Sequence, residues 1–286
     1  RDVERSRGLG DVYKRQICFS LTFLAPAAAQ ALTLCGKSAQ GEVLTAYAPG
    51  AVKVELNGKS YPVTPDGKFI FAFGRDEASS AKLTVSYSDG RTQDYSLTVA
   101  PSRWDIQNLK GVQPRKVTPK PADQKAIDRE RTDVRKALTR QTENIYWQKK
   151  FIRPLKGRIS GNFGGQRIMN GKKMNPHQGT DIACPIGTPV KAAADGIVTL
   201  AGGPYFYSGN MVVLEHGHNL STIYAHLDKV NVKAGDKVKQ GDVIALSGKT
   251  GRVTGPHLHW GASLNGVRFR PDSLLEPRDK KFCFDL

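Results

Sequence analysis

The chain has 286 residues, 39% of them hydrophobic and 24% charged, with a formal net charge of +17. That length holds two ordinary domains and a connection, and the balance excludes both a disordered and a membrane-embedded polypeptide; after residue 35 no apolar run reaches the roughly 18 residues of a membrane span. The basic excess suits an anionic envelope surface, whereas no motif interleaves aromatic and basic residues as a nucleic-acid binder would.

Residues 1–31 read as a leader and signal peptide. Lys14 and Arg15 precede an apolar run from Ile17 to Ala25, and Ala29-Gln30-Ala31 has the small-residue form of a cleavage site. The expected mature chain begins near Leu32, in a compartment that permits disulfides. Cys35, Cys184 and Cys283 then remain, enough for one intramolecular bridge. Cys35–Cys283 and Cys184–Cys283 are both open.

Residues 32–101 predict a small immunoglobulin-like β domain. Val52, Val54 and Leu56 alternate before Asn57-Gly58, Phe69, Phe71 and Phe73 follow Asp66-Gly67, and Leu83, Val85 and Tyr87 run into Asp89-Gly90. Period-2 runs split by Asn-Gly or Asp-Gly mark hairpins, because both turn residues must accept positive φ. No catalytic constellation lies in this region, so spacing or binding is its expected role. Residues 102–121 read as a basic linker stiffened by Pro114, Pro119 and Pro121. Residues 122–150 predict a connector helix, with Ile127, Val134, Leu138 and Ile145 as one apolar stripe that packs on a neighbouring domain. From 151 to 277 glycines are frequent and turn signals recur, as in Ala234-Gly235-Asp236 and Gln240-Gly241-Asp242, which predicts an all-β domain; 278–286 form a tail.

Five side chains of that last domain read as one hydrolase site: His177 and Asp181, His226, and His257 and His259. Only six histidines occur in the chain. His257 and His259 lead a strand, where residues i and i+2 share a face. His177 and Asp181 flank Gly179, and Pro176 places them in a loop entering a strand rather than on a helix. His226 lies in an alternating run in which Thr222, Tyr224 and His226 share one side. A mixed imidazole and carboxylate set suits Zn²⁺, whose catalytic sites keep three protein ligands and one position for water. His216-Gly217-His218 is a competing pair rated lower, because His218-Asn219 has the look of a solvated turn.

The order and spacing of several stretches carry a resemblance. They include Ser160-Gly161-Asn162-Phe163-Gly164, Pro176-His177-Gln178-Gly179-Thr180-Asp181, Tyr224-Ala225-His226-Leu227 and Thr254-Gly255-Pro256-His257-Leu258-His259. Residues 151–275 resemble the lysostaphin/LytM-type zinc endopeptidases that cut peptidoglycan cross-bridges. The resemblance implies a mainly antiparallel β fold, zinc held by His177, Asp181 and His259, and His226 and His257 as the catalytic pair. It implies an exported enzyme, periplasmic or envelope-associated, that hydrolyses amide bonds in peptidoglycan cross-links through a zinc-bound water. A D-alanyl–diaminopimelate link is the expected bond, with glycine bridges left open as the alternative. Peptidoglycan is then the partner, with no nucleic acid and no membrane span in the mature chain; no oligomeric state is read. Three other readings are weighed. A non-catalytic wall-binding regulator is disfavoured because all five positions are filled. A lipoyl-type carrier, suggested by Gly235 to Asp242, is rejected for want of a modification lysine. A metallopeptidase acting on other secreted proteins is allowed by the ligand set, but the basic charge leans toward an anionic wall.

Overall fold

The computed structural model describes residues 31–142, 144–276 and 283–286. The expected leader and signal peptide thus lie, apart from Ala31, outside the described residues. Among these, no helix is long and apolar enough to cross a membrane.

The first region builds two four-stranded antiparallel sheets. One has the order Cys283–Asp285, Thr33–Cys35, Val43–Tyr47, Lys68–Ala72, and the other Lys59–Tyr61, Ala51–Leu56, Ser80–Tyr87, Thr92–Thr98. The Asn57-Gly58 turn has both residues at positive φ, 50° and 76°, as the hairpin requires. Phe69, Phe71 and Phe73 are fully buried with Leu34, Leu44, Val54 and Val85. Ile70 and Ala72, on the other face of their strand, are buried too, because that strand also contacts Val267–Phe269 of the later domain. One hydrophobic cluster therefore runs through both regions. Polar clamps reinforce the seam: Arg270 N–H donates to Gly41 O at 2.8 Å, Arg75 Nε to Gly164 O at 2.6 Å, and Arg270 pairs with buried Glu42. Gly164 sits at φ +80°, and a Cβ there would stand 2.2 Å from the Trp104 ring, so the seam requires glycine.

The stretch expected to be a linker does more than connect. Ile106–Leu109 is a strand parallel to Gln166–Met169, capping the open edge of the hairpin that Gln166–Met169 makes with Lys172–Lys173. Its prolines begin only at Pro114, so an edge strand before them is permitted. The helix is shorter than the stripe suggested: it spans Gln124–Thr139, and Arg140 is extended. Val134, Ala137 and Leu138 pack on Leu200, Tyr205, Met211, Val213, Ile223 and Ala225. Ile145, the last member of the stripe, packs from an extended segment instead. Burial of Trp147 and Phe151 and the bond from Tyr146 N–H to His216 O hold that segment on the sheet.

The later domain is a ten-stranded sheet. Its main path runs Lys237–Val238, Gly196–Tyr205, Gly209–Glu215, Leu220–Val230, His257–Leu264, Gly179–Ala183, Arg158–Gly161, and all its named pairings are antiparallel. The tail strand Cys283–Asp285 pairs with Thr33–Cys35, and a disulfide joins Cys35 to Cys283. The choice left open by the sequence is thereby made, and Cys184 is free and buried.

Candidate metal centre

The centre is built on two neighbouring strands. Gly179–Ala183 and His257–Leu264 are antiparallel with Asp181 opposite His259 and Ala183 opposite His257. Opposed residues share a face, so Asp181, His257 and His259 project together. His177 arrives from the loop before the first strand, held by reciprocal bonds with the glycine loop: Gly164 N–H to His177 O at 2.8 Å and His177 N–H to Gly165 O at 2.9 Å. Its Nδ1–H donates to Asn162 O at 2.9 Å; a carbonyl only accepts, so Nε2 carries the lone pair.

Three donor atoms converge. His177 Nε2 lies 2.9 Å from His259 Nδ1 and 3.0 Å from Asp181 Oδ1, and His259 Nδ1 lies 2.9 Å from the same oxygen. These residues form the group able to hold a metal ion among the described residues. Such separations approach the roughly 3.3 Å edge of a tetrahedron with bonds of about 2.0–2.1 Å. The second carboxylate oxygen of Asp181 accepts from Arg167 Nη2, which aims Oδ1 at the histidines. Burial pushes the Asp181 carboxyl up, but His177, His259 and Arg167 outweigh it and hold it well below the usual carboxylate range. Burial pushes His259 down to about 4, leaving its imidazole neutral and free to ligate.

Two glycines make room. A Cβ at Gly179 would lie 2.5 Å from Trp260 O and 2.7 Å from the His259 ring, and one at Gly161 would lie 2.8 Å from Asp181 Oδ2.

His226 reaches the same point by a different route from the alternation. Thr222 and Tyr224 face the main core, with a bond from Thr222 Oγ1 to the Tyr224 hydroxyl, and Ile223 and Ala225 face the helix-covered cluster. Leu227 then returns to the main core, so the phase flips at His226. The register slips there, and His226 has φ +65°. The sharing of one side by Thr222, Tyr224 and His226 is thus corrected: the bulge turns His226 to the face of Ala225, which lies opposite His259. The His226 and His257 ring centroids are 4.8 Å apart. Both rings donate Nδ1–H to carbonyls, His226 to Thr250 O and His257 to Gly255 O, each at 2.9 Å. Both therefore offer an Nε2 lone pair. Burial, then the neighbouring His257 and His259, hold His226 well below the ordinary histidine range.

The competing pair is structural. His216 is fully buried, bonded to Asp195 O and Thr222 Oγ1, each at 2.7 Å, and burial pushes it down to about 4. His218 is not solvated as expected; it is half-buried with its ring 5.7 Å from Trp147, because the segment after the helix folds over that turn.

Three participants escaped the sequence reading. Arg167 orients Asp181. Arg252 lies over the Tyr207 ring at 4.5 Å. Glu130, buried on the helix, accepts from Tyr207 N–H at 2.7 Å, Ser208 N–H at 3.0 Å and Ser208 Oγ at 2.6 Å. Ser208 O in turn accepts from His226 N–H at 2.9 Å. Arg252 lies in the Thr250–His259 stretch that carries the resemblance, whereas Arg167 and Glu130 have no local mark in the sequence. Arg167 and Arg252 wall a cleft of about 220 Å³ that also borders His177, His226 and His259, with Glu130 behind its Tyr207-Ser208 loop.

Comparison with known proteins gives this geometry a context. The profile of Peptidase family M23 matches residues 175–271. Peptidoglycan DD-endopeptidase ShyA of Vibrio cholerae is 50% identical over 112 residues, 39% of this chain and 26% of that protein. The chain thus spans about a quarter of the length of the curated relatives it matches. A Pseudomonas aeruginosa structure assigned to peptidase M23 has a TM-score of 0.65 and 28% identity, covering 84% of this chain and 95% of that one. The catalytic domain of the antimicrobial peptidase lysostaphin from Staphylococcus simulans is 33% identical over 45% of this chain and 88% of its own, with a TM-score of 0.34. By its sequence, and with the mainly antiparallel fold it shares with the Pseudomonas structure, the chain carries a domain of peptidase family M23.

Proposed function

We propose that this chain is an exported zinc endopeptidase that hydrolyses amide bonds in peptidoglycan cross-links, with His177, Asp181 and His259 as metal ligands and His226 and His257 as the catalytic pair. The observation that carries the reading is the meeting of three lone-pair atoms, each oriented by a partner or strand pairing, beside two further imidazoles with Nε2 free. Two imidazole nitrogens and one carboxylate oxygen form a borderline set that suits Zn²⁺. Zinc bound there would polarise the scissile carbonyl and acidify water.

The rest falls to the chain's own side chains. The Nε2 atoms of His226 and His257 accept the proton of the attacking water and return it to the leaving amine. An imidazole that has gained that proton becomes a donor to the developing oxyanion, a contact worth about 10²–10³ in rate. Thr250 O and Gly255 O keep both rings in the tautomer this requires. Arg167 keeps Asp181 from turning away. The DD-endopeptidase relatives support a D-alanyl–diaminopimelate bond as the one cut.

The test is incubation of the purified protein with defined cross-linked muropeptides, with and without chelator, alongside metal analysis. Stoichiometric zinc and chelator-sensitive release of uncross-linked peptides are expected. Zinc-free protein, or His226→Ala and His257→Ala variants with full activity and bound zinc, would overturn the reading.

A further inference from the structure

One cation in the cleft forms no ion pair with the described residues. Arg167 is engaged by Asp181, and Glu130, behind the loop, gives its carboxylate to Tyr207 and Ser208. Arg252 has neither: among the described residues its guanidinium makes no ion pair and no side-chain hydrogen bond. It is nonetheless held in place. Its N–H donates to Tyr207 O at 2.8 Å, and the guanidinium stacks 4.5 Å over the Tyr207 ring. The aromatic covers one face and leaves the N–H edges free. Burial lowers its pKa; Tyr207 and, more weakly, Glu130 oppose the shift, and Arg167 adds to it. No acidic residue lines the cavity that Arg252 shares with Arg167, His177, His226 and His259. Arg252 also sits two residues from Thr250, whose carbonyl orients His226. The same residue borders a second, smaller cavity beside Asp181 and His257.

We propose that Arg252 is the receptor for a substrate carboxylate adjacent to the scissile amide. The inference rests on the endopeptidase reading and specifies its substrate: a peptide whose acylated amine sits on a carbon that also bears a free carboxyl, as in diaminopimelate. A planar guanidinium fixed at one face pairs with a planar carboxylate through two parallel N–H···O bonds. A glycine bridge, with no such carboxylate at an internal bond, leaves the arginine unpaired in a partly buried site.

The experiment uses the zinc-loaded full chain and two D-alanyl–diaminopimelyl peptides that differ only in a free or amidated carboxyl beside the scissile amide. N-methylation of that amide gives versions that read binding by calorimetry without turnover. The free acid is expected to bind about 10–100-fold more tightly, the range of a charge-assisted hydrogen bond. Arg252→Gln should erase the difference and Arg252→Lys keep part of it. Equal binding of the two peptides by the unaltered protein, which needs no variant to fold, overturns the proposal. So does a difference that survives in Arg252→Gln. If the preference holds but neither cleavable peptide is hydrolysed, the endopeptidase reading fails and the carboxylate site stands.

Discussion

Replacing Glu130 by alanine asks whether the helix outside the matched family region helps to set the catalytic geometry. The carboxylate is buried and accepts three hydrogen bonds from Tyr207 and Ser208. Bonds to a charged acceptor contribute about 1.5–3 kcal/mol each, but they are not additive, and relief of the buried charge offsets part of the loss. A net destabilisation of about 3 kcal/mol follows, which for a protein this size lowers the melting midpoint by about 6–12 °C. The effect on rate travels through Ser208, whose carbonyl holds His226 N–H at 2.9 Å. With the loop released, His226 loses the anchor that maintains its φ of +65°, and kcat should fall about 10–100-fold with little change in KM. Glu130→Gln keeps one oxygen but turns an NH₂ toward the loop donors, so it should lie between the two. Urea unfolding and muropeptide turnover measure both. A Glu130→Ala protein with unchanged midpoint and unchanged kcat would refute the reasoning.

Gly179→Ala places a Cβ 2.7 Å from the His259 ring and 2.5 Å from Trp260 O, so metal retained after dialysis should drop about 10–100-fold, while the fold persists by circular dichroism. Serine at both Cys35 and Cys283 opens a closure between residues 248 apart and should cost about 2–5 kcal/mol, read as the difference between melts of the variant and the oxidised protein. Burial raises the Glu215 carboxyl from 4.5 to about 7, so between those values the folded protein holds a proton that the unfolded chain has released. Its contribution to stability is therefore complete below pH about 4.5 and lost as pH rises to about 7, an amplitude of about 3 kcal/mol. Subtracting the pH profile of Glu215→Gln from that of the unaltered protein should reveal this slope; a flat difference would exclude it.

Local chemistry explains which features could be read in advance. Asn57-Gly58 announces a turn because its backbone needs positive φ, and His257 and His259 share a face because strands alternate. His177 and Asp181 are close in sequence and flank a glycine whose absence of side chain admits His259. What could not be read depends on partners distant in the chain. Nothing around Arg167 shows that Asp181 will be its neighbour, and Glu130 looks like any acid on an exposed helix until loop 206–208 is laid beside it. Alternation placed His226 on the wrong side because a bulge adds a residue without a compositional mark. His218 was expected to be solvated because its turn is polar, yet Trp147 covers it. The strand at Ile106–Leu109 exists only because an open hairpin edge lies next to it.

The bond between Cys35 and Cys283 turns the polypeptide into a covalent ring that encloses both the β region and the peptidase fold. A single backbone cut anywhere inside that ring leaves one molecule, which separates into two pieces only after reduction. It also gives the early β region two attachments to the peptidase fold rather than one, so it cannot swing away about a lone hinge. The cleft itself is lined by the peptidase fold alone, so that second attachment does not cross it.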